Sequence, residues 1–472
     1  MSAVKRVCSS AWLERTPDKG EVGGSSPPRP TILTIKIQRY IMSSPQPISE
    51  SNRIESLDVV RGFALLGILL LNIIGFGLLS PSYSNPGFDL SHSSFADILS
   101  WAAVDLLAEG AMRCLFSILF GAGVVLFTTG ATGRSAWTHY RRTFWLLMFG
   151  LFNAFILLWP GDILVTYALA GAFLYLVREK SVRTLLIAAG VLILLMSLLH
   201  VAMGFGLGFS KQAYDRVTTS SIAGATTEIS DQDRELAQVW EEFSADVDLL
   251  ETDAEAELIA RNSSYASAFQ WTVSQNVEFY SFVIPVFLFW DALAMMMLGM
   301  ALYKAGVLQA QRSRRFYLNL MVGGFASGLL INGYEISEAY RSDFHLLATF
   351  PQLQATYHLG RLGMALGYIG MLGLVCQAGL FSGLTTRLAA VGRMALTNYL
   401  MHSLICAILF TGMGLGLLGQ FSRIELYVIV LLIWWLQLGL SPAWLKRYRF
   451  GPIEWLWRAL TYGTWPEMRR SV

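Results

Sequence analysis

Charge is scarce in this sequence. Asp, Glu, Lys and Arg together make up 14% of its 472 residues, whereas 54% are hydrophobic, and the mean hydropathy is +0.49. Soluble proteins average about 25% charged residues, so this chain has too few of them to cover a water-facing surface. The same composition excludes intrinsic disorder. It predicts an all-α polytopic protein, a bundle of transmembrane helices in contact with the lipid bilayer.

Features of nucleic-acid binders and metalloproteins are also missing. The 35 basic residues against 33 acidic ones give a net charge of +2, which is too balanced to predict a nucleic-acid partner. The sequence contains no P-loop, nucleophile elbow or HExxH motif. No metal cofactor is expected, because the four cysteines are scattered and indicate neither a disulfide framework nor a metal cluster. They are Cys8, Cys114, Cys376 and Cys406.

The first 41 residues differ in composition from the rest. They lack the apolar core of a secretory signal peptide. The stretch Glu21–Thr31 resembles the conceptual translation of a tRNA gene, which favours a start codon assigned too early and a true start at Met42. The alternative is a disordered cytoplasmic tail. In either case residues 1–41 are expected to carry no fold.

About ten segments reach the roughly 20 mostly apolar residues that a bilayer-spanning helix needs. They divide into an N-terminal bundle over 57–207 and a C-terminal bundle over 278–463, each of about five spans. The second segment is long enough to be broken. The segments lie near residues 58–79, 98–129, 139–159, 161–178, 182–207, 278–303, 316–335, 355–378, 386–414 and 424–441.

Connections with and without basic residues alternate along the chain, as expected when Lys and Arg collect on the cytoplasmic side. The connection 80–97 and the turn 159–161 contain none, whereas the connections after the second, fourth, sixth and eighth segments are basic. Both termini are therefore predicted to be cytoplasmic, with a polar lead over 42–56 and a tail over 464–472.

The longest loop, 208–277, is predicted to be extracytoplasmic because it is strongly acidic. It carries thirteen acidic residues between Asp215 and Glu257. Within it, apolar residues recur at helical spacing over Asp231–Arg261, which predicts one or two amphipathic helices. The acidic residues fit a solvated helix face better than a metal site.

Ionisable and amide groups within apolar segments are expected to be functional, because each is costly to insert into a membrane. Asp58 and Arg61 lie three residues apart at the start of the first span, and Asn72 lies deep in the same span. The alternative for the first two is that Asp58 caps the helix and Arg61 reaches the headgroups. His92, in the next connection, is a candidate general base.

Charged residues also recur in the second span. Asp105, Glu109 and Arg113 are four residues apart in turn, so on one helix they form a single stripe. This stripe is interpreted as an internal ion pair or, alternatively, as part of a polar pathway. Further candidates for substrate contact are found in later segments: Asp162, Asp291, Arg393 and Asn398. His358 and Arg361 in the eighth segment and His402 in the ninth are also candidates.

Four segments resemble the YeiB-like family of bacterial inner-membrane proteins. They are Arg53–Asn72, Leu158–Ala168, Gly392–Leu400 and Arg449–Gly463. The resemblance implies a multi-pass protein of the bacterial inner (plasma) membrane, in a family of unknown biochemical function. Relatives often have a His where this chain has Asn153.

The pattern Asp58…Arg61-Gly62…Asn72 is also distantly similar to the transmembrane acyltransferase superfamily that includes heparan-α-glucosaminide N-acetyltransferase. This similarity implies transfer of an acetyl group from cytoplasmic acetyl-CoA, or another acyl-CoA, to a small-molecule or glycan acceptor on the far side. It implies catalytic roles for Asn72 and for His92. Basic residues predicted to be cytoplasmic are the candidates for binding the CoA phosphates, although membrane orientation alone also explains them: Arg134, Arg141, Arg142, Arg314 and Arg315.

The alternative function is a secondary transporter or flippase. It would use the Asp105–Glu109–Arg113 stripe or Asp291 as the site for a substrate or coupling ion, and it needs no CoA. A homo-oligomer is left open by the sequence.

Overall fold

The computed structural model describes residues 54–84, 88, 93–128, 135–223, 229–344 and 346–470. These residues form helices joined by short turns. The predicted all-α polytopic bundle is confirmed. His92, Arg134 and the whole 1–41 segment lie outside the described residues.

The N-terminal half is built from helices of very different lengths. A π-helical turn, Phe152–Ile156, follows α5, and α7 continues well past residue 207, where the sequence predicted its span to end. The helices are α1 Glu55–Gly77, α2 Ser80–Ser84, α3 Phe95–Leu107, α4 Ala111–Thr128, α5 Ala136–Leu151, α6 Ile163–Val177 and α7 Val182–Ala223.

The C-terminal half begins with three helices within the acidic loop. A π-helical segment, Phe279–Leu288, joins the third of them to the next span. The helices are α8 Asp231–Thr252, α9 Ala254–Ser263, α10 Tyr265–Glu278, α11 Phe289–Lys304, α12 Arg314–Arg341, α13 Leu346–Ala378, α14 Ser382–Arg393, α15 Ala395–Phe410, α16 Arg423–Arg447 and α17 Pro452–Tyr462.

Fewer helices than predicted are suited to crossing a membrane. Within the described residues, seven segments are long and apolar enough, or eight if α14 and α15, bent by 81°, count as one span. The predicted span at 139–159 corresponds to α5 and the π-helical turn that continues it, and the span at 161–178 corresponds to α6, which has 15 residues. A helix of 15 residues is only about 22 Å long, short of the roughly 30 Å hydrocarbon core.

The second predicted span is broken. Helix α3 ends at Leu107 and α4 begins at Ala111, with Gly110 between them at φ +61°. The break interrupts the helix on which the sequence places Asp105, Glu109 and Arg113 in one stripe, but α3 and α4 together still form one candidate span, Phe95–Thr128. The carbonyl groups freed at Leu106 and Leu107 accept hydrogen bonds from Asn332 and Tyr368 of neighbouring helices, at 3.1 and 2.8 Å.

Close backbone contacts hold α1 at the centre of the bundle. Gly62 on α1 packs against the Leu388 carbonyl of α14, and Gly392 on α14 packs against the Asp58 carbonyl of α1. A Cβ atom at either glycine would collide with backbone, so only glycine permits this approach. The contact joins two of the segments on which the YeiB-like resemblance rests.

Candidate functional site: a basic cavity between the signature segments

A cavity of about 260 Å³ lies beside the start of α1. Its lining comes from α1, α4, α5, α6, α14, α15 and α17. One end carries four arginines and two carboxylates, and the remaining wall is mostly apolar. The charged lining residues are Asp58, Arg61, Arg142, Arg393, Glu454 and Arg458.

Neighbouring groups hold the arginines at the basic end in place. The Arg61 guanidinium donates to Asp58 at 2.6 Å, so the two charges predicted on one face of α1 form an ion pair. The Arg142 guanidinium lies 4.5 Å from the ring centroids of both Phe127 and Trp457. Such stacking on aromatic rings holds a guanidinium in place.

The apolar wall extends from the basic end into the bundle. Phe127 and Phe116 both line the cavity, and they are eleven residues apart on α4, which is roughly 16 Å of helix. At the inner end, Tyr167 hydrogen-bonds to Ser117 at 2.6 Å and donates to the Arg113 carbonyl at 3.2 Å. The cavity is thus elongated, and the Tyr167 hydroxyl lies at its inner end.

Asp162 fixes a second hydroxyl at the inner end. It is fully buried and caps α6 by accepting from the Val165 amide at 3.1 Å. Its other oxygen accepts from Asn153 at 2.8 Å and from the Tyr399 hydroxyl at 3.3 Å. Asp162 therefore positions Tyr399, which lines the cavity, and Asn153 completes the same network.

Glu454 attaches α17 to the start of α15. Its carboxylate accepts hydrogen bonds from the Leu396 and Thr397 amides at 2.7 and 3.1 Å and from the Thr397 hydroxyl at 2.5 Å. Burial raises the pKa of the Glu454 carboxyl, and these hydrogen bonds oppose the rise. Glu454 thus stabilises one wall of the cavity through the α15 N-terminus.

The predicted CoA-binding arginines are distributed over different parts of the structure. Arg142 lines the cavity, and Arg141 lies next to Gly463, at the end of α17. Arg314 and Arg315 are exposed at the start of α12 and do not line it. Of the residues predicted to contact substrate, the cavity brings together three, which are Asp58, Arg61 and Arg393.

Asn72 is half-buried on α1 and does not line the cavity. It lies one helical turn before Gly75 and Phe76, which contact Trp159 of the turn preceding α6. Asn398 is fully buried elsewhere and bonds to Ser441 at 3.1 Å.

A second polar group, outside the cavity lining, lies at the start of α4. Arg113 donates to the Tyr357 hydroxyl at 2.5 Å, and that hydroxyl is 3.5 Å from Glu109 in the α3–α4 break. Asp105, one turn before the break, is half-buried.

A buried ion pair adjoins this group. Asp291 receives two hydrogen bonds from Arg361, whose guanidinium also lies 4.6 Å from the Tyr357 ring centroid. His358 contacts Arg361 and lies 3.3 Å from His200. The two residues of the ion pair and the two histidines are all buried.

Sequence reasoning missed several cavity residues. Arg458 and Glu454 stood within Arg449–Gly463, which served only to support the resemblance. Tyr399 and Tyr167 carried no signal, because a tyrosine in an apolar helix is typical of ordinary packing. The signal that could have identified Arg458 and Glu454 is that both are charged residues within a segment on which the family resemblance rests.

The fold and the cavity define a polytopic helical membrane protein whose four YeiB-like segments meet at one basic, elongated site. A family model described as "Protein of unknown function (DUF418)" matches residues 302–464. The chain is 33% identical to the uncharacterized protein YeiB of Escherichia coli (strain K12) over 414 residues, which cover 86% of this chain and 95% of that one. It is 30% identical to the uncharacterized protein YxaH of Bacillus subtilis (strain 168) over 444 residues, which cover 91% and 100%.

This chain therefore belongs to the YeiB-like family. No solved structure matches it.

Proposed function

We propose that this protein is an inner-membrane acyltransferase that moves an acyl group, such as acetyl, from cytoplasmic acyl-CoA to an extracytoplasmic acceptor. The observation that carries the proposal is the cavity, with four arginines at one end and an apolar wall that continues inward. Acyl-CoA has the matching distribution of chemistry, since its phosphates are at one end and its acyl group is at the end of a long arm.

The arginines at the cavity also fit the predicted sidedness. Arg61, Arg142, Arg393 and Arg458 all belong to segments that the distribution of basic residues assigns to the cytoplasmic side. Acyl-CoA would therefore enter from the compartment in which it is made. Its acyl end would lie near Tyr167 and Tyr399.

The transfer step breaks the thioester C–S bond and forms a C–O or C–N bond to the acceptor, whose proton ends on the CoA sulfur. The distant similarity assigns Asn72 to orient the carbonyl and His92 to take the proton. The turn before α6 connects the Asn72 end of α1 with the cavity. Its Trp159 contacts Phe76 of α1 with ring centroids 4.0 Å apart, and its Asp162 accepts a hydrogen bond from the Tyr399 hydroxyl.

The test is thermal stabilisation of detergent-purified protein by acetyl-CoA, with dephospho-CoA to probe the phosphate contacts. Gly123 lines the cavity, and a Cβ there meets no atom within 4 Å, so Gly123→Leu starts its side chain in open space and extends it into the cavity. Gly323→Leu is the matched control, because Gly323 is equally open but lies on the exposed face of α12.

We expect wild-type protein and Gly323→Leu to show saturable stabilisation at micromolar acetyl-CoA. Gly123→Leu should remain folded and lose that response, and dephospho-CoA should act more weakly than acetyl-CoA. Equal responses in Gly123→Leu and wild type would exclude the cavity as the acyl-CoA site.

One observation favours transport as the second candidate function. Discontinuous helices with ionisable residues at the interruption are typical of substrate sites in secondary transporters, and the α3–α4 break places Glu109 beside Arg113 and Tyr357. Well-folded wild-type protein with no response to acetyl-CoA would favour this function.

A further inference from the structure

An open cleft of about 430 Å³ lies between α14 and α16, outside the cavity described above. None of its lining residues is shared with that cavity. Two of them are cationic, two carry hydroxyl groups and four are small. They are Ser382, Gly383, Thr386, Arg387, Gly439, Pro442, Ala443 and Lys446.

Small residues create the cleft. Gly383 on α14 and Gly439 on α16 both line it, and a Cβ at either position meets no atom within 4 Å. Larger residues at these positions would occupy the space. The cleft therefore exists because glycine occupies these two positions. A larger residue at either one would place its side chain in the cleft, starting from a Cβ that meets no neighbour.

The described residues that line the cleft include two cations and no acid. Arg387 and Lys446 come from different helices, and no Asp or Glu occurs in 379–393 or in 437–453. Membrane orientation explains why basic residues are abundant on this side. It does not explain why two of them line the same cleft beside the hydroxyls of Ser382 and Thr386.

Apolar side chains flank the charged part. Leu380, Phe381 and Leu384 are 52%, 72% and 49% exposed, and Leu440 is 52% exposed. Exposed apolar side chains of this size are suited to contact with lipid acyl chains. A ligand of the cleft would therefore meet cations and hydroxyls at one end and hydrocarbon beside them.

We propose that this cleft binds the phosphate headgroup of an anionic phospholipid, with Arg387 and Lys446 contacting the phosphate and the lipid chains lying along Leu384 and Leu440. A phosphate group suits the two cations and two hydroxyls. The apolar flank distinguishes a lipid from a free phosphate.

The experiment is native mass spectrometry of the full-length protein titrated with phosphatidylglycerol. The variants are Arg387→Gln/Lys446→Gln, which removes the charge, and Gly439→Leu, which fills the cleft but keeps the charge. The control is Arg314→Gln/Arg315→Gln, which removes two exposed cations from another part of the protein. A parallel titration with inorganic phosphate tests the soluble source.

Removing both cations should weaken the tightest phosphatidylglycerol binding about 30-fold, roughly fivefold per cation. Gly439→Leu should weaken it as well, and the control should not. Equal weakening in the charge variant and the control would overturn the site, as would unchanged binding in Gly439→Leu. Stabilisation by inorganic phosphate without phosphatidylglycerol binding would overturn the assignment to a lipid.

Discussion

Individual polar residues in this bundle divide into those that hold the structure and those that face the cavity. Asp162 belongs to the first kind: three donors, from Asn153, Val165 and Tyr399, converge on its buried carboxylate. Its role in the proposed reaction is to position Tyr399. The sequence marked Asp162 as important but could not distinguish these roles, because the partners come from distant segments.

Replacing Asp162 with Ala should therefore destabilise the protein. The substitution leaves buried donors without acceptors, which costs about 1–3 kcal/mol. Thermal unfolding of the purified variant measures the loss. Asp231→Ala is the control, since Asp231 is exposed at the start of α8. Equal melting temperatures for the two variants would show that the Asp162 network contributes little.

The Asp291–Arg361 pair allows a second test at the residue scale. Arg361→Gln leaves the buried Asp291 carboxylate without its counter-ion, and breaking a buried pair costs about 3–5 kcal/mol. Asp291→Asn/Arg361→Gln removes both charges and should cost less. Denaturant unfolding of the single and double variants compares them. A double variant less stable than Arg361→Gln would contradict an ion-pair role.

At the scale of elements, the break between α3 and α4 interrupts the helix on which the sequence placed Asp105, Glu109 and Arg113 in one stripe. Residues four apart in turn lie on one stripe only if the helix is continuous. The break depends on Gly110 in the left-handed region and on the donors Asn332 and Tyr368, which come from helices more than 200 residues later. Local pattern cannot reveal such partners.

The substitution Gly110→Ala tests whether this break is built into the fold. A left-handed conformation costs a non-glycine residue about 1–2 kcal/mol, and the added Cβ would lie 2.8 Å from the Arg361 Cδ atom. We expect a lower melting temperature. Gly123→Ala, in α4 with open space around its Cβ, should be neutral or stabilising. A neutral Gly110→Ala would indicate that the break is not constrained.

On the scale of the whole molecule, composition and apolar runs predicted the helical membrane bundle, and the segments of the YeiB-like resemblance predicted the family. Seven or eight segments of the described residues are long and apolar enough to span a membrane, against about ten predicted, in part because α6 has only 15 residues. The cavity was not predictable from the sequence. It forms where Asp58, Arg142, Arg393 and Glu454, nearly 400 residues apart at the extremes, meet through packing.

Photo-crosslinking can measure directly whether the acyl group of acyl-CoA enters this cavity. An acyl-CoA with a diazirine at the end of its acyl group would be irradiated with the purified protein, and the labelled peptides identified by mass spectrometry. We expect labelling within 116–127 or 163–167, which contribute to the apolar wall, and suppression of that labelling by excess acetyl-CoA or by Gly123→Leu. Labelling confined to the exposed faces of α7 and α12, unchanged by competitor, would contradict it.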